Sequence, residues 1–342
     1  MKIVSKLQFI LRKIKKKGSH QAGILMYHRV IDTDRDLWGL CVSPDNFAAH
    51  LEYLKTHFHP LTLQDFVKYY HQGKIPDRAV VITFDDGYAD NFLYAKPLLE
   101  KYEIPATFFL ASGYIGTQRE YWWDDLERLL LLPGKLPETL TLTINQQNYA
   151  WQMGAVANYT QADYERDRHL KASAGKPGSR HALYFEIWQL LQPLPDNLQQ
   201  EAIRQIIQQS VVNVVPRPQN FPMSLAQVRE LQTSGLIEIG GHTVTHPDLS
   251  AHDSTWQNQE ITRGKQTLEE ITGQQLKSFA YPFGAYSPET LPLVQSAGFN
   301  CACSTKIETV WEYQKNYELP RLPVENWSQK EFAKQLKKWW SN

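Results

Sequence analysis

Residues 79–87 read AVVITFDDG. Six residues that suit a strand run without a charge into two carboxylates and a glycine. A run of this length and composition, closed by turn chemistry, fits a strand buried on both faces, as in a parallel sheet covered by helices. The Asp-Asp-Gly then falls at the C-terminal end of that strand, where the loops of parallel α/β folds converge to make sites. Asp85 and Asp86 repel each other if both are ionised, so a nearby cation is a natural way to hold them. Taken alone, Asp-Gly is also an ordinary turn.

Outward from this strand the same rhythm repeats. Residues 23–28 (GILMYH) read as a first buried strand. Helical patterns follow at 43–57, opened by Ser-Pro, and at 62–72, opened by a Thr cap. Beyond the central strand come a helix at 90–102 and a strand at 106–110. Later strands are expected at 237–239, 278–281, 300–304 and 319–324, separated by helices at 225–234, 255–272 and 288–297. Short apolar runs alternating with amphipathic segments predict the α/β class, with a mainly parallel sheet or barrel. Residues from about 116 to 221 break the rhythm: they are rich in Gln, Leu, Pro and Trp, and hold several helical patterns and one hairpin at 139–151. They read as a mostly helical insertion that shapes one wall of a cleft.

The net charge of zero conceals an asymmetry. Seven of the 36 basic residues and no acid fall in residues 1–20, which therefore carry +7; the remaining 29 bases and 36 acids give the rest −7. A negatively charged main body argues against nucleic acid as a partner. In the leader, Ile3, Leu7, Ile10, Leu11 and Ile14 recur at helical spacing opposite the lysines, the pattern of a helix lying in a membrane interface. A solvated basic tail has the same composition. With Gln8 interrupting the apolar stretch and no small-residue cleavage site, the leader is not read as an export signal. The expected location is cytoplasmic, with peripheral contact at the inner membrane face. Cys41, Cys301 and Cys303 are too few and too badly spaced for a disulfide framework.

Three further segments carry chemistry. Residues 240–247 read GGHTVTHP, and His242 and His246, with three residues between them and glycines beside them, have the spacing of zinc ligands. Residues 279–284, FAYPFG, place Pro282 and Gly284 in a tight turn that can aim a peptide N–H at an oxyanion. His28, in Tyr-His-Arg at the end of the first strand, could be a general acid, a role to which the imidazole side chain is suited.

Together, in this order and at successive strand ends, TFDDG and HTVTH resemble the polysaccharide deacetylase family, also called NodB-homology or carbohydrate esterase 4. The likeness runs from residue 23 to about 327, the insertion apart. It implies a distorted (β/α) barrel of about seven units over residues 21–342, and a hydrolase that removes N-acetyl groups from acetamido sugars of a polysaccharide or glycan precursor. Carried over by position, it implies that Asp86, His242 and His246 hold a divalent metal, zinc by default, with cobalt, nickel, iron or manganese compatible with the same ligands. Asp85 becomes the base and the Phe283 N–H the oxyanion donor. Apart from the resemblance, Tyr88, Tyr121, Trp122, Trp123, Tyr281 and Tyr286 lie in or near these loops and could stack on sugar rings, although core or cleft-wall packing suits each as well. Tyr88, Trp123 and Tyr281, with Pro282 and Gly284 of the turn, are the expected substrate contacts. Two departures stand out. Many relatives have an arginine where Ala280 stands, and Arg321 is the expected substitute. No histidine follows His252, so the acid role falls to His28, as in the circularly permuted biofilm-polysaccharide deacetylases that the chain resembles. Three other readings stay open: a hydrolase of small non-peptide amides, a non-haem iron oxygenase using the same ligand types, and a non-catalytic glycan-binding protein.

Overall fold

The computed structural model describes residues 21–212, 215–311 and 314–341. The basic leader, and with it the expected membrane contact, lies outside the described residues. β1 (Ala22–Tyr27) is followed by α1 (Pro44–His57), β2 (His59–Leu61), α2 (Leu63–His71) and β3 (Ala79–Phe84). Local chemistry starts both helices where the sequence predicts. Ser43 and Thr62 accept hydrogen bonds from the N–H groups of Asn46 and Asp65, and Pro44 occupies a first-turn position where no donor is needed. A π-helical turn, Asn91–Ala95, then leads into α3 (Lys96–Tyr102), β4 (Ala106–Leu110) and α4 (Trp122–Leu131).

The hairpin of β5 (Thr139–Ile144) and β6 (Gln147–Gln152) precedes α5 (Gln161–Asp167), α6 (Arg180–Leu191) and α7 (Asp196–Gln209). The chain then alternates again: α8 (Leu225–Leu231), β7 (Ile237–Gly241), α9 (Ser254–Thr272), β8 (Ser278–Ala280), α10 (Thr290–Ser296), β9 (Cys301–Cys303), β10 (Leu322–Pro323) and α11 (Gln329–Ser341).

Seven strands form one curled parallel sheet in the order β9-β8-β7-β4-β3-β1-β10, with β2 beside the first half of β3. Every residue of β1, β3 and β4 is buried, because helices cover the outer face and side chains fill the inner one. Register decides what this sheet presents. Tyr27 pairs with Phe84, Phe84 with Phe108, Leu110 with Gly241, and Gly241 with Phe279. The residues just beyond those pairs, His28, Asp85, His242 and Ala280, therefore emerge on one rim.

The sheet curls until its edges approach. Leu319 bonds to β9 at Ala302 and Ser304, and Leu322 pairs with Leu25 of β1. Arg321 lies between these contacts and is fully buried. The strand expected at 319–324 is reduced to Leu322–Pro323, since Pro320 and Pro323 have no N–H to give a ladder. The C-terminal helix α11 has no counterpart among the sequence-based expectations; it buries Phe332 and Leu336, four residues apart, and sets the Trp340 ring against Gly23, where a side chain would collide.

Residues 116–221 contribute most of a second hydrophobic core, in which Trp122, Leu126 and Leu130 of α4 pack with Ile187 and Leu191 of α6 and Ile203 and Ile206 of α7. Buried charges tie this layer to the barrel. Arg29 bonds Asp90, Asn220 and the Gln219 carbonyl, while Arg217 reaches Glu120 and the Asp124 carbonyl. Asp124 sits in the first turn of α4, as expected of a helix start, but it is buried and accepts the Tyr88 hydroxyl at 2.7 Å. Burial pushes its carboxyl up to about 7 against the pull of Arg29 and Arg217.

A carboxyl whose pKa is raised in the folded chain takes up a proton on folding. Its stabilising contribution is present below the ordinary value of 3.8 and is lost as pH rises through about 7. Asp124→Asn should accordingly unfold near the wild-type temperature at about pH 5 and above it at about pH 8. The same difference at both pH values would contradict a protonated Asp124.

Candidate active site

Asp86 and the two histidines meet on the rim. The Nε2 atoms of His242 and His246 lie 3.6 and 3.2 Å from one Asp86 oxygen, and the three buried ligand atoms fall within 4.8 Å of one another. His242 donates Nδ1–H to the Ala280 carbonyl at 2.7 Å, which leaves the Nε2 lone pair facing Asp86. Burial lowers the His246 pKa, although Asp86 pulls it upward, and so favours the neutral imidazole a metal requires. Burial would raise the Asp86 carboxyl, yet the two imidazoles beside it hold it well below the usual carboxylate range. Two imidazoles and one carboxylate around a common point fit a divalent ion and leave coordination positions for water and substrate.

Asp85 stands beside this set with a partner of its own. Arg321 grips it with two parallel hydrogen bonds of 2.7 Å, and Arg321 Nε bonds the Ser304 carbonyl at 3.0 Å. Burial would raise the Asp85 carboxyl, but the charges of Arg321 and then His242 bring it below its ordinary value. The Asp85 carboxylate is thus kept ionised and pointed by the guanidinium. His28 Nε2 is 3.9 Å from Asp85, and the π-helical turn holds its backbone through Asn91 Nδ2–H and the His28 carbonyl at 2.8 Å.

Backbone strain gathers at this rim. Of eight non-glycine residues with positive φ among the described residues, four belong to the site: Asp86, Thr243, His246 and Phe283. Each costs on the order of 1–3 kcal/mol, so something must hold them. Tyr121 donates its hydroxyl to the Asp86 carbonyl at 2.5 Å; its ring is stacked between Tyr114 and Trp123. Glu260 of α9 accepts the N–H groups of Val244 and Thr245 at 2.9 and 2.8 Å, and the Thr243 hydroxyl accepts the His246 N–H. At the Phe283 turn, Gly284 has φ +68 and lies directly under Thr305, so a side chain there would be strained and would collide.

The triad, Asp85 and His28 line one cavity of about 290 Å3 together with Trp38, Leu40, Trp123, Trp188, Tyr281, Phe283 and Thr305. Trp123 and Phe283 set their rings edgewise against His246, 4.9 and 4.5 Å between centroids. Of the residues expected at substrate, Trp123 and Tyr281 are in this lining, but the Tyr281 hydroxyl is given to the Tyr317 carbonyl. Tyr88 is not in the lining: it is 2% exposed, lies beneath the Arg29 guanidinium and spends its hydroxyl on Asp124. Pro282 and Gly284 shape the turn and are absent from the lining. Trp38, Leu40, Trp188, Thr305 and Glu260 have no signal in the sequence, since each acts through a contact distant in the chain. Tyr121 was visible only as one aromatic in a cluster.

The polysaccharide deacetylase family profile matches residues 72–133 and 199–302. These segments contain Asp85, Asp86, His242, His246 and Phe283. The poly-beta-1,6-N-acetyl-D-glucosamine N-deacetylase of Staphylococcus aureus strain MSSA476 is 34% identical over 132 residues, covering 34% of this chain and 44% of the relative. The match therefore spans less than half the length of that curated protein. The Streptococcus pyogenes deacetylase PplD, solved in complex with acetate, superposes with a TM-score of 0.56 over 92% of this chain and 98% of its own, at 19% identity. IcaB from Ammonifex degensii gives 0.56 over 95% and 98%, also at 19% identity. These two structures share the fold. Over residues 72–133 and 199–302, which carry Asp85, Asp86, His242 and His246, the chain is similar to the polysaccharide deacetylase family.

Removing the Tyr121 hydroxyl leaves a buried carbonyl unpaired behind a metal ligand. Tyr121→Phe should weaken metal retention roughly tenfold in competition with a chelator; unchanged affinity would mean that Asp86 is held by other contacts. Arg321→Met strips a buried carboxylate of its partner and should lower unfolding free energy by about 3–5 kcal/mol, measured by denaturant titration. A variant as stable as wild type would show that the pair does not hold Asp85.

Proposed function

We propose that this chain is a metal-dependent hydrolase that removes N-acetyl groups from acetamido sugars of a glycan. The observation that carries the reading is the division of labour between adjacent carboxylates: Asp86 turns to the two imidazoles, while Asp85 is held 2.7 Å from Arg321, outside the ligand set. A structural metal site has no use for a second, separately oriented carboxylate. The staphylococcal relative, named for deacetylation of an N-acetylglucosamine polymer, supports an acetamido glycan as substrate.

Asp86, His242 and His246 would hold a divalent ion, zinc by default, which would polarise the acetamide carbonyl and make a water beside it more acidic. Asp85, ionised and fixed by Arg321, accepts the proton of the attacking water. The Phe283 N–H, presented by a left-handed turn, donates to the developing oxyanion. His28 gives its proton to the departing amine, so that acetate and a free amino sugar leave. Its place 3.9 Å from Asp85 keeps acid and base within reach of one tetrahedral centre. The basic leader is proposed to attach the enzyme peripherally to the inner membrane face.

Asp85→Asn keeps the ligand set and loses the base. It should retain metal by elemental analysis and release acetate from N-acetylglucosamine oligomers at least about a hundredfold more slowly. Turnover near the wild-type rate would exclude Asp85 as base. Absence of acetate release by the metal-loaded wild type from any acetamido glycan would reject the substrate class.

A further inference from the structure

Five residues of the catalytic cavity come from outside the family-matched segments, and two of them are tryptophans. Trp38 lies in the loop between β1 and α1, and Trp188 lies on α6. Their rings pack 4.7 Å apart, and Trp188 stands edgewise on Phe283 at 6.0 Å and 88°. Both are half-buried, so each keeps ring surface in the cavity.

This wall is fixed before any ligand arrives. The Asp36 carboxylate accepts the N–H groups of Gly39 and Leu40 at 2.8 and 3.0 Å, closing the Trp38 loop on itself. The helical layer grips the same loop: Ala172 N–H bonds the Leu37 carbonyl at 2.9 Å, and Trp38 Nε1–H bonds the Tyr184 hydroxyl at 3.2 Å. A surface held in place by such bonds loses little entropy on binding.

The lining is also short of polar groups free to meet sugar hydroxyls. Trp38 Nε1–H is committed to Tyr184, Trp123 Nε1–H to the Tyr88 hydroxyl at 2.9 Å, and the Tyr281 hydroxyl to Tyr317. Apart from the groups assigned to the reaction, the Thr305 hydroxyl and the Trp188 Nε1–H are the side-chain polar groups of this lining without such a partner among the described residues. What the wall offers instead is aromatic surface, which suits the apolar C–H face of a pyranose ring.

We infer that Trp38 and Trp188 form a stacking wall that holds the acetamidopyranose by its ring face, so that the site selects for the ring and its N-acetyl group rather than for the configuration of the hydroxyls. This rests on the deacetylase reading and deepens it. Trp188 acts in binding, equally in ground and transition states, so its loss raises KM more than it lowers kcat.

The test uses the full-length, zinc-loaded enzyme with N-acetylglucosamine oligomers, N-acetylgalactosamine oligomers and p-nitrophenyl acetate, an acetyl ester without a sugar. Trp188→Ala should lower the ratio of kcat/KM on N-acetylglucosamine oligomer to that on ester roughly tenfold, mainly through KM, and Trp188→Phe should recover most of it. In the Asp85→Asn background, fluorescence titration with unhydrolysed oligomer should show the same loss of affinity. Wild type should process the two hexosamine oligomers within roughly a hundredfold of each other, since a site that reads a hydroxyl by hydrogen bonding discriminates far more strongly. An unchanged oligomer-to-ester ratio, or a preference beyond a hundredfold between the hexosamines, would overturn the inference. Ester hydrolysis and oligomer binding without acetate release would instead reject the deacetylase reading, with the wall intact.

Discussion

Two adjacent carboxylates buried at the end of one strand cannot both remain ionised without counter-charge, and the rest of the molecule is organised around supplying it. Arg321 serves Asp85, and the imidazoles of His242 and His246 face Asp86 in the position where a cation would complete the set. The carboxylates and their partners come from three places, the ends of β3 and β7 and the segment just before β10, separated by up to 236 residues of chain. Only a sheet with fixed parallel register can bring them to one rim. Curling matters as much as register: Arg321 reaches Asp85 because the segment that carries it spans the approach of the two sheet edges.

Much of this was readable from local sequence. The strand 79–84 is continuous in β-favouring residues and appears with those bounds, and both helix caps at Ser43 and Thr62 act as their residue types predict. His242 and His246 could be paired because their spacing is local. Arg321 was found by elimination, once Ala280 left a gap in the resemblance. What sequence could not disclose are contacts that exist only after folding. Nothing marks Glu260, within a 19-residue polar helix, as the acceptor for two loop amides. Tyr88 looked like a sugar platform because it follows TFDDG, yet Arg29, 59 positions upstream, covers its ring. The strand at 319–324 was overextended because its apolar pattern outweighed the missing donors of Pro320 and Pro323.

The helical layer over residues 116–221 does more than cover one side of the barrel. It supplies Tyr121 behind Asp86, Trp123 beside His246 and Trp188 in the cavity wall, and it clamps the loop that follows His28. Strain at Asp86 is borne by Tyr121 of this layer, while Glu260 of α9 holds the loop of Thr243 and His246. Stability of that layer and the geometry of the reacting groups are therefore linked.

At the centre of the account stand two imidazoles and one carboxylate sharing an ion while the neighbouring carboxylate stays outside. X-ray absorption on the zinc-loaded protein measures that shell directly. The account requires two imidazole nitrogens and oxygen donors at about 2.0–2.1 Å, and the same shell when Asp85 is replaced by asparagine. A shell lacking either imidazole, or one that loses an oxygen donor with that replacement, would contradict it.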